Sequence, residues 1–128
     1  FNQETIVQII YSENLKELED KGLRLPIIKE GRMSAWAQYS LLVDSKEIRD
    51  KIVQYLKDNK VNAAIFYPAP LHTQECFQYL NCTLGSLPVT ERVCDTIFNL
   101  PCYAEITQDE QDYIINLLTE YFGYYCTL

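Results

Sequence analysis

The chain lacks the features by which several large classes of protein are recognised. No apolar run approaches the roughly 20 residues that a membrane-spanning helix needs, and no basic segment with an apolar core marks a signal peptide. Its four glycines form no glycine-rich phosphate loop. The single histidine, His72, belongs to no recognised nucleophile motif. The sequence therefore predicts no membrane span, no phosphate-binding loop and no catalytic cluster.

Basic residues are also scarce, which limits the possible partners. Eleven lysines and arginines stand against 18 aspartates and glutamates, and the net charge is −7. A surface of this charge repels a phosphate backbone. We therefore expect no nucleic-acid partner.

The cysteines are odd in number and include no Cys-x-x-Cys pair, the spacing typical of a zinc site. We interpret them as free thiols of a reducing cytoplasm that pack as small apolar side chains; they are Cys76, Cys82, Cys94, Cys102 and Cys126. The acidic residues Asp109, Glu110 and Asp112 crowd at a predicted helix start, where the helix dipole favours them without a metal ion. No metal site is expected.

The composition is typical of one folded domain. Hydrophobic residues make up 48% of the chain and aromatic residues 12%, enough for a compact core at this length. No internal repeat, low-complexity tract or linker divides residues 1–128. We expect a single domain.

Hydrophobic spacing in the first half predicts two helices around one strand. Apolar residues recur at helical intervals over residues 6–18 and stop before Gly22. Residues 35–43 are apolar or aromatic at every odd position, the period of a strand with one buried face. Asp44 and Glu47 form a cap-like pair before a helix that closes at residues 59–60.

The second half predicts a second strand and two further helices. Residues 61–67 are β-prone and stop at a proline. Residues 73–79 have room for two helical turns, and residues 88–100 carry apolar side chains at helical spacing. Thr107 and Glu110 match a capping box for the last helix. We interpret the tyrosines on these apolar stripes, Tyr55, Tyr113 and Tyr121, as core residues.

Few strands among several helices predict an α+β domain. We expect a small, mostly antiparallel sheet with flanking helices.

Three proline-containing segments suggest a protein family. They are Phe66-Tyr-Pro-Ala-Pro-Leu-His-Thr-Gln-Glu75, Gly85-Ser-Leu-Pro-Val-Thr-Glu-Arg92 and Asn99-Leu-Pro-Cys-Tyr103. In this order and at these distances they resemble the C-terminal domain of the DegT/StrS-type nucleotide-sugar aminotransferases, and Trp36-Ala-Gln-Tyr39 and Arg49-Asp50 occupy further positions of the pattern. The resemblance covers about residues 3–122 and implies the small domain of an aspartate-aminotransferase-like (fold type I) enzyme.

The resemblance also implies a reaction and a cofactor. Such enzymes use pyridoxal phosphate, held on a lysine, to move an amino group from an amino acid, usually glutamate, to a keto-sugar on a nucleotide. The family's lysine motif does not occur in this chain. We therefore expect a fragment that is inactive alone, has no catalytic residue and binds no pyridoxal phosphate. The N-terminal cofactor domain, absent here, would bind the cofactor in the complete enzyme.

Further expectations concern the complete enzyme. The resemblance implies a cytoplasmic homodimer that serves polysaccharide or glycan biosynthesis, with the nucleotide-sugar bound between this domain and the large one. The chain begins without Met, so we expect a segment upstream. The alternative is a stand-alone module, left by truncation, that binds a sugar nucleotide or a protein without catalysis.

The candidate site is the segment between Tyr67 and His72. Pro68 and Pro70 fix φ at alternate positions, which makes the segment extended and stiff. A tyrosine hydroxyl and an imidazole are suited to bind a sugar hydroxyl or a phosphate oxygen. The competing interpretation packs Tyr67 in the core and lets His72 cap a backbone carbonyl. The resemblance implies substrate binding by Tyr67 and His72, and a solvent-accessible His72.

Two other features have simpler interpretations. Glu91 and Arg92 match a family position, but adjacent charges early in a helix are interpreted as a solvated pair. An exposed apolar patch is expected where a large domain would cover this one, and Ile6, Ile9 and Ile10 on the first helix are the candidates.

Overall fold

The computed structural model describes residues 2–125. Four helices and two strands follow one another along the chain: α1 (Gln3–Leu15), β1 (Tyr39–Leu42), α2 (Lys46–Asp58), α3 (Pro88–Thr96), β2 (Ile97–Leu100) and α4 (Gln108–Tyr125). Three 3₁₀ segments connect them, at Lys16–Lys21, Leu71–Thr73 and Glu75–Leu80. The α+β class and the small antiparallel sheet that the sequence predicts are confirmed.

The first helix forms where the spacing predicts it. Asn2 caps its start by accepting a hydrogen bond from the Thr5 amide. The 3₁₀ segment that follows ends at Gly22, whose φ of 95° lies in the left-handed region that glycine tolerates best. Within residues 2–125, no helix is long and apolar enough to cross a membrane.

The first strand is shorter than predicted. It occupies Tyr39–Leu42, and Trp36 has a φ of 52°, a left-handed backbone that cannot continue an extended strand. The alternation predicted for residues 35–43 nevertheless holds from Tyr39 onward, because Tyr39, Leu41 and Val43 are buried and the two residues between them are half-buried.

The second strand is not the predicted one. Residues 61–67 contribute a single bridge between Ala64 and Asn99, whereas β2, predicted as the end of a helix, pairs with all of β1. The pair runs antiparallel, with Tyr39 opposite Leu100. Ile97 and Leu100 continue the apolar spacing of α3, and pairing with β1 decides in favour of the strand.

The cap predicted from the sequence is wrong for α2 and correct for α4. Ser45 caps α2 by accepting from the Ile48 amide, so the predicted pair of Asp44 and Glu47 is wrong. Asp44 instead pairs with Arg24 at 2.6 Å. At α4 the capping box is confirmed: the Glu110 carboxylate accepts from the Thr107 amide at 2.8 Å, and the Thr107 hydroxyl accepts from the Glu110 amide.

The core lies between the sheet and helices α1, α2 and α4. Its fully buried side chains come from all of these elements and from the segment after Gly22; the largest are Tyr11, Tyr39, Phe98, Phe122, Leu15, Leu23, Leu41, Ile52, Leu56 and Leu118. Two polar contacts cross it: Tyr11 donates to the Pro101 carbonyl, and Gln111 donates to the Val7 carbonyl. Burial raises the pKa of Tyr39 to about 12.

The tyrosines and cysteines depart in part from the sequence interpretation. Tyr121 is buried and Tyr55 half-buried, but Tyr113 is exposed and donates its hydroxyl hydrogen to the Asn59 carbonyl. The four described cysteines are free thiols. Cys76 and Cys82 are exposed, however, so the packing role is wrong for these two; Cys126 lies outside the described residues.

Candidate functional site

The segment that carries the predicted site, residues 66–72, is called the proline loop. It begins after Ala64, which exchanges backbone hydrogen bonds with Asn99 at 2.7 and 3.1 Å. It ends in the 3₁₀ turn Leu71–Thr73, whose cap Pro70 has extended backbone angles. The peptide between Phe66 and Tyr67 is cis. The proline loop therefore crosses from the edge of the sheet toward α3.

An apolar groove of about 560 Å³ separates the proline loop from α3. It is lined by Phe66, Tyr67, Pro68, Ala69, Pro70, Leu71, Gln74, Val89, Thr90, Val93, Cys94 and Ile97. Tyr67 is 67% exposed, and its hydroxyl makes no hydrogen bond within residues 2–125. The core position that the competing interpretation gives to Tyr67 is therefore wrong.

His72 is buried, with 8% of its surface exposed, so the expectation that it is solvent-accessible is wrong. Its Nε2 lies 2.8 Å from Oε1 of Glu91. An ionised carboxylate only accepts hydrogen bonds, so Nε2 carries the hydrogen in this pair. Within residues 2–125 His72 caps no backbone carbonyl; it joins the end of the proline loop to α3.

Glu91 also binds the segment before α3. The Gly85 amide lies 2.8 and 2.9 Å from its two carboxylate oxygens, and the Leu87 amide lies 3.4 Å from Oε1. The hydrogen bond from His72, followed by those from Gly85 and Leu87, lowers the pKa of Glu91 although partial burial opposes the shift. The side chain is 15% exposed. Glu91 is thus an ionised anchor, and its interpretation as half of a solvated pair is wrong.

Sequence reasoning missed the pairing of His72 with Glu91. The two residues are 19 positions apart, on a loop and a helix, and no periodicity relates such positions. The available signal was that both fall within the segments that suggested the family.

The side chains that line the groove are suited to bind a sugar. The free hydroxyl of Tyr67 can donate to or accept from a sugar hydroxyl or a phosphate oxygen, and the apolar walls suit the face of a ring. The imidazole of His72 is engaged by Glu91. Among residues 2–125, no cluster of three or more histidine, cysteine or acidic side chains could hold a metal ion.

Within residues 2–125, the lysines and the start of α3 do not suit pyridoxal phosphate. The cofactor's aldehyde needs a lysine amine in an enclosed site, and all seven lysines of the chain are exposed. Its phosphate suits free amides at a helix start. At the start of α3, however, the amides of Gly85 and Leu87 already donate to Glu91.

A second surface is apolar and exposed. Ile6 and Ile9 on α1 are 44% and 37% exposed, and Ile10 is half-buried. Ile28 and Met33, from the connection that follows α1, are 44% and 98% exposed, and both line a shallow cavity with Ile9. The expectation that isoleucines of the first helix lie at the surface is confirmed for Ile6 and Ile9. We call Ile6, Ile9, Ile28 and Met33 the α1 patch.

Comparisons with known proteins agree with this architecture. The sequence profile of the DegT/DnrJ/EryC1/StrS aminotransferase family matches residues 2–119. A dTDP-3-amino-3,4,6-trideoxy-alpha-D-glucose transaminase from Micromonospora megalomicea subsp. nigra is 38% identical over 112 residues, which cover 86% of this chain and 29% of that protein.

Solved structures of the family contain the same fold. A DegT/DnrJ/EryC1/StrS aminotransferase from Brucella abortus superposes with a TM-score of 0.82 at 29% identity, over 94% of this chain and 31% of that one. NtdA from Bacillus subtilis, solved with bound cofactor PMP, gives a TM-score of 0.78 at 26% identity, over 94% and 28%. The chain thus spans less than a third of the length of these relatives, and it belongs to the DegT/DnrJ/EryC1/StrS aminotransferase family.

Proposed function

We propose that residues 1–128 form the C-terminal small domain of a fold type I aminotransferase. The complete enzyme transfers an amino group from an amino acid, expected to be glutamate, to a keto-sugar carried on a nucleotide. The observation that carries the proposal is the open groove beside Tyr67, in a chain that is 38% identical to part of a dTDP-sugar transaminase. Sugar rings present both hydroxyl groups and apolar faces, and the groove offers partners for both.

Within this proposal the two predicted site residues have different roles. Tyr67 contacts the nucleotide-sugar, because its hydroxyl is free and its ring lines the groove. His72 is turned to Glu91 and acts through the loop that it ends. Direct contact of His72 with the substrate, as the resemblance implies, would require this pair to separate.

The cofactor of the complete enzyme is proposed to be pyridoxal phosphate, which supplies the electron sink for amino-group transfer. The large domain binds it, since the lysines and helix start described above do not fit it. This chain closes the cleft over the sugar. A homodimeric, cytoplasmic enzyme that serves polysaccharide or glycan biosynthesis belongs to the same proposal.

The α1 patch is proposed as part of the interface with the large domain. Interfaces between domains of one chain bury about 600–1,500 Å² and are partly apolar. Four large apolar side chains exposed together are consistent with such an interface.

The test is turnover by the complete protein that contains this chain. Purified protein is loaded with pyridoxal phosphate and given dTDP-3-amino-3,4,6-trideoxy-α-D-glucose or UDP-linked amino sugars, with 2-oxoglutarate as acceptor. Formation of glutamate and the keto-sugar supports the proposal. Binding of these sugars without any turnover would favour the non-catalytic module, and neither binding nor turnover would contradict the aminotransferase and a sugar-binding module alike.

A further inference from the structure

One wall of the groove, the proline loop, is held in place partly by a contact with α3. The start of the proline loop is fixed to β2 through the bridge between Ala64 and Asn99. Among residues 2–125, its end makes only local hydrogen bonds, such as that from the Thr73 hydroxyl to the Pro70 carbonyl, apart from the bond between His72 and Glu91. The position of this end against α3 therefore depends on Glu91.

The segment before α3 has the same dependence. Every residue from Gln78 to Thr90 is exposed. Within the described residues, the hydrogen bonds of positions 81–87 join close neighbours, such as Ser86 to Thr83, except for those to Glu91. The Gly85 and Leu87 amides donate to the Glu91 carboxylate, and the Leu87 carbonyl accepts from the Glu91 amide. One carboxylate thus joins two loops that make few other hydrogen bonds outside their own segments.

The proline loop couples the position of His72 to the position of Tyr67. Pro68 and Pro70 lie between Tyr67 and His72, and each restricts φ to near −65°. A displacement of His72 would therefore be carried to the opposite end of the loop instead of being absorbed within it. Glu91 itself does not line the groove, so its effect on a bound sugar would be indirect.

We propose that Glu91 is a positioning residue for sugar binding: its carboxylate holds His72 and the 81–87 segment against α3 and thereby sets the place of Tyr67 in the groove. This inference rests on the proposed function. In this inference Glu91 touches neither sugar nor cofactor, and its loss weakens sugar binding by displacing Tyr67.

Glu110 provides a matched control. Like Glu91 it is a glutamate whose carboxylate accepts a backbone hydrogen bond near a helix start, and its pKa is likewise lowered, chiefly by the Thr107 amide. It lies at α4 and does not line the groove. Glu110→Gln should therefore reproduce the structural consequences of losing such a carboxylate without moving Tyr67.

The experiment compares Glu91→Gln, Glu110→Gln and Tyr67→Phe, singly and paired, in the complete, cofactor-loaded protein. The probe is dTDP-3-amino-3,4,6-trideoxy-α-D-glucose. Glutamine offers one acceptor oxygen where the carboxylate uses two, so we expect KM for the sugar to rise about tenfold in Glu91→Gln, with the cofactor absorbance unchanged. In the Glu91→Gln protein, the additional change Tyr67→Phe should raise KM for the sugar little further. In the Glu110→Gln protein, Tyr67→Phe should raise KM by as much as it does alone.

Hydrogen exchange provides a readout that is independent of activity. Peptides covering residues 66–72 and 81–87 should exchange faster in Glu91→Gln than in the wild type or Glu110→Gln. Equal exchange in all three proteins, or independent effects of Glu91→Gln and Tyr67→Phe on KM, would overturn the inference. Faster exchange confined to Glu91→Gln in a protein without sugar turnover would support the anchor but reject the proposed function, so the two failures are distinguishable.

Discussion

Nη1 of Arg49 donates to the Ile97 carbonyl at 3.0 Å and to the Cys94 carbonyl at 3.1 Å. Its Nε pairs with Asp50, and the Arg49 side chain is 3% exposed. One guanidinium on α2 thus satisfies two carbonyls where α3 ends and β2 begins. This contact stabilises the change from helix to strand that the local sequence does not specify.

Arg49→Met should therefore destabilise the domain. It removes a buried guanidinium and leaves two carbonyls of half-buried residues without this donor, and we expect a loss of about 2 to 4 kcal/mol in the free energy of unfolding. Urea denaturation measures it. Arg24→Met is the control, since its pair with Asp44 is more than half exposed and should contribute about 0 to 1 kcal/mol. Equal losses in the two variants would contradict the assignment.

Tyr67→Phe and His72→Ala should affect the complete enzyme differently. Loss of one hydrogen bond to the sugar predicts an increase in KM of about three- to tenfold for Tyr67→Phe, with little change in melting temperature. His72→Ala removes a buried hydrogen-bonded group and should lower stability by about 1 to 3 kcal/mol. Thermal melts beside steady-state kinetics separate the two. A Tyr67→Phe enzyme with unchanged sugar kinetics would remove Tyr67 from the site.

The capping box of α4 predicts a dependence of stability on acid. Hydrogen bonds from Thr107 lower the pKa of Glu110 from its ordinary value of 4.5. The ionised Glu110 carboxylate contributes its full stabilisation of the fold above that value. This stabilisation is lost as pH falls through the lower folded-state pKa. Glu110→Gln should lose less stability than the wild type between pH 6 and about pH 3. Urea midpoints measure this, with the exposed Glu13→Gln as control; parallel curves for wild type and Glu110→Gln would contradict the prediction.

The α1 patch should cause the isolated 128-residue chain to self-associate. Exposed apolar surface of this kind favours contact between copies. Sedimentation should show a concentration-dependent increase in mass that Ile6→Ser and Ile9→Ser reduce. Replacement of the exposed Leu84, which lies outside the α1 patch, is the control. A strict monomer at high concentration would contradict the prediction.

The isolated chain should form no saturable imine with pyridoxal phosphate. Lysines such as Lys46 and Lys57 are exposed and lie in no enclosed site that could hold the cofactor beside the amine. Titration followed by absorbance should give only a weak, non-saturating signal, equal to that of an unrelated protein with as many exposed lysines. A stoichiometric, tight complex would contradict both this prediction and the division of roles between the domains.

Much of the helical structure could be predicted from the sequence because its signals are local. The capping box of Thr107 and Glu110 and the apolar stripe behind it specify α4 within a few turns. The order of the proline loop and the Gly85–Arg92 segment suggested the family that the comparisons confirm.

The sequence by itself determined the α+β class and the course of α1, α2 and α4, since each depends on residues a few positions apart. Only the tertiary structure decided that residues 97–100 form a strand, because pairing with β1 and capping by Arg49 outweigh a helical spacing. It also decided that His72 meets Glu91 and that Tyr67 lies exposed beside the groove. A hydrogen bond between a loop and a helix 19 residues apart depends on how the chain packs, which local periodicity does not encode.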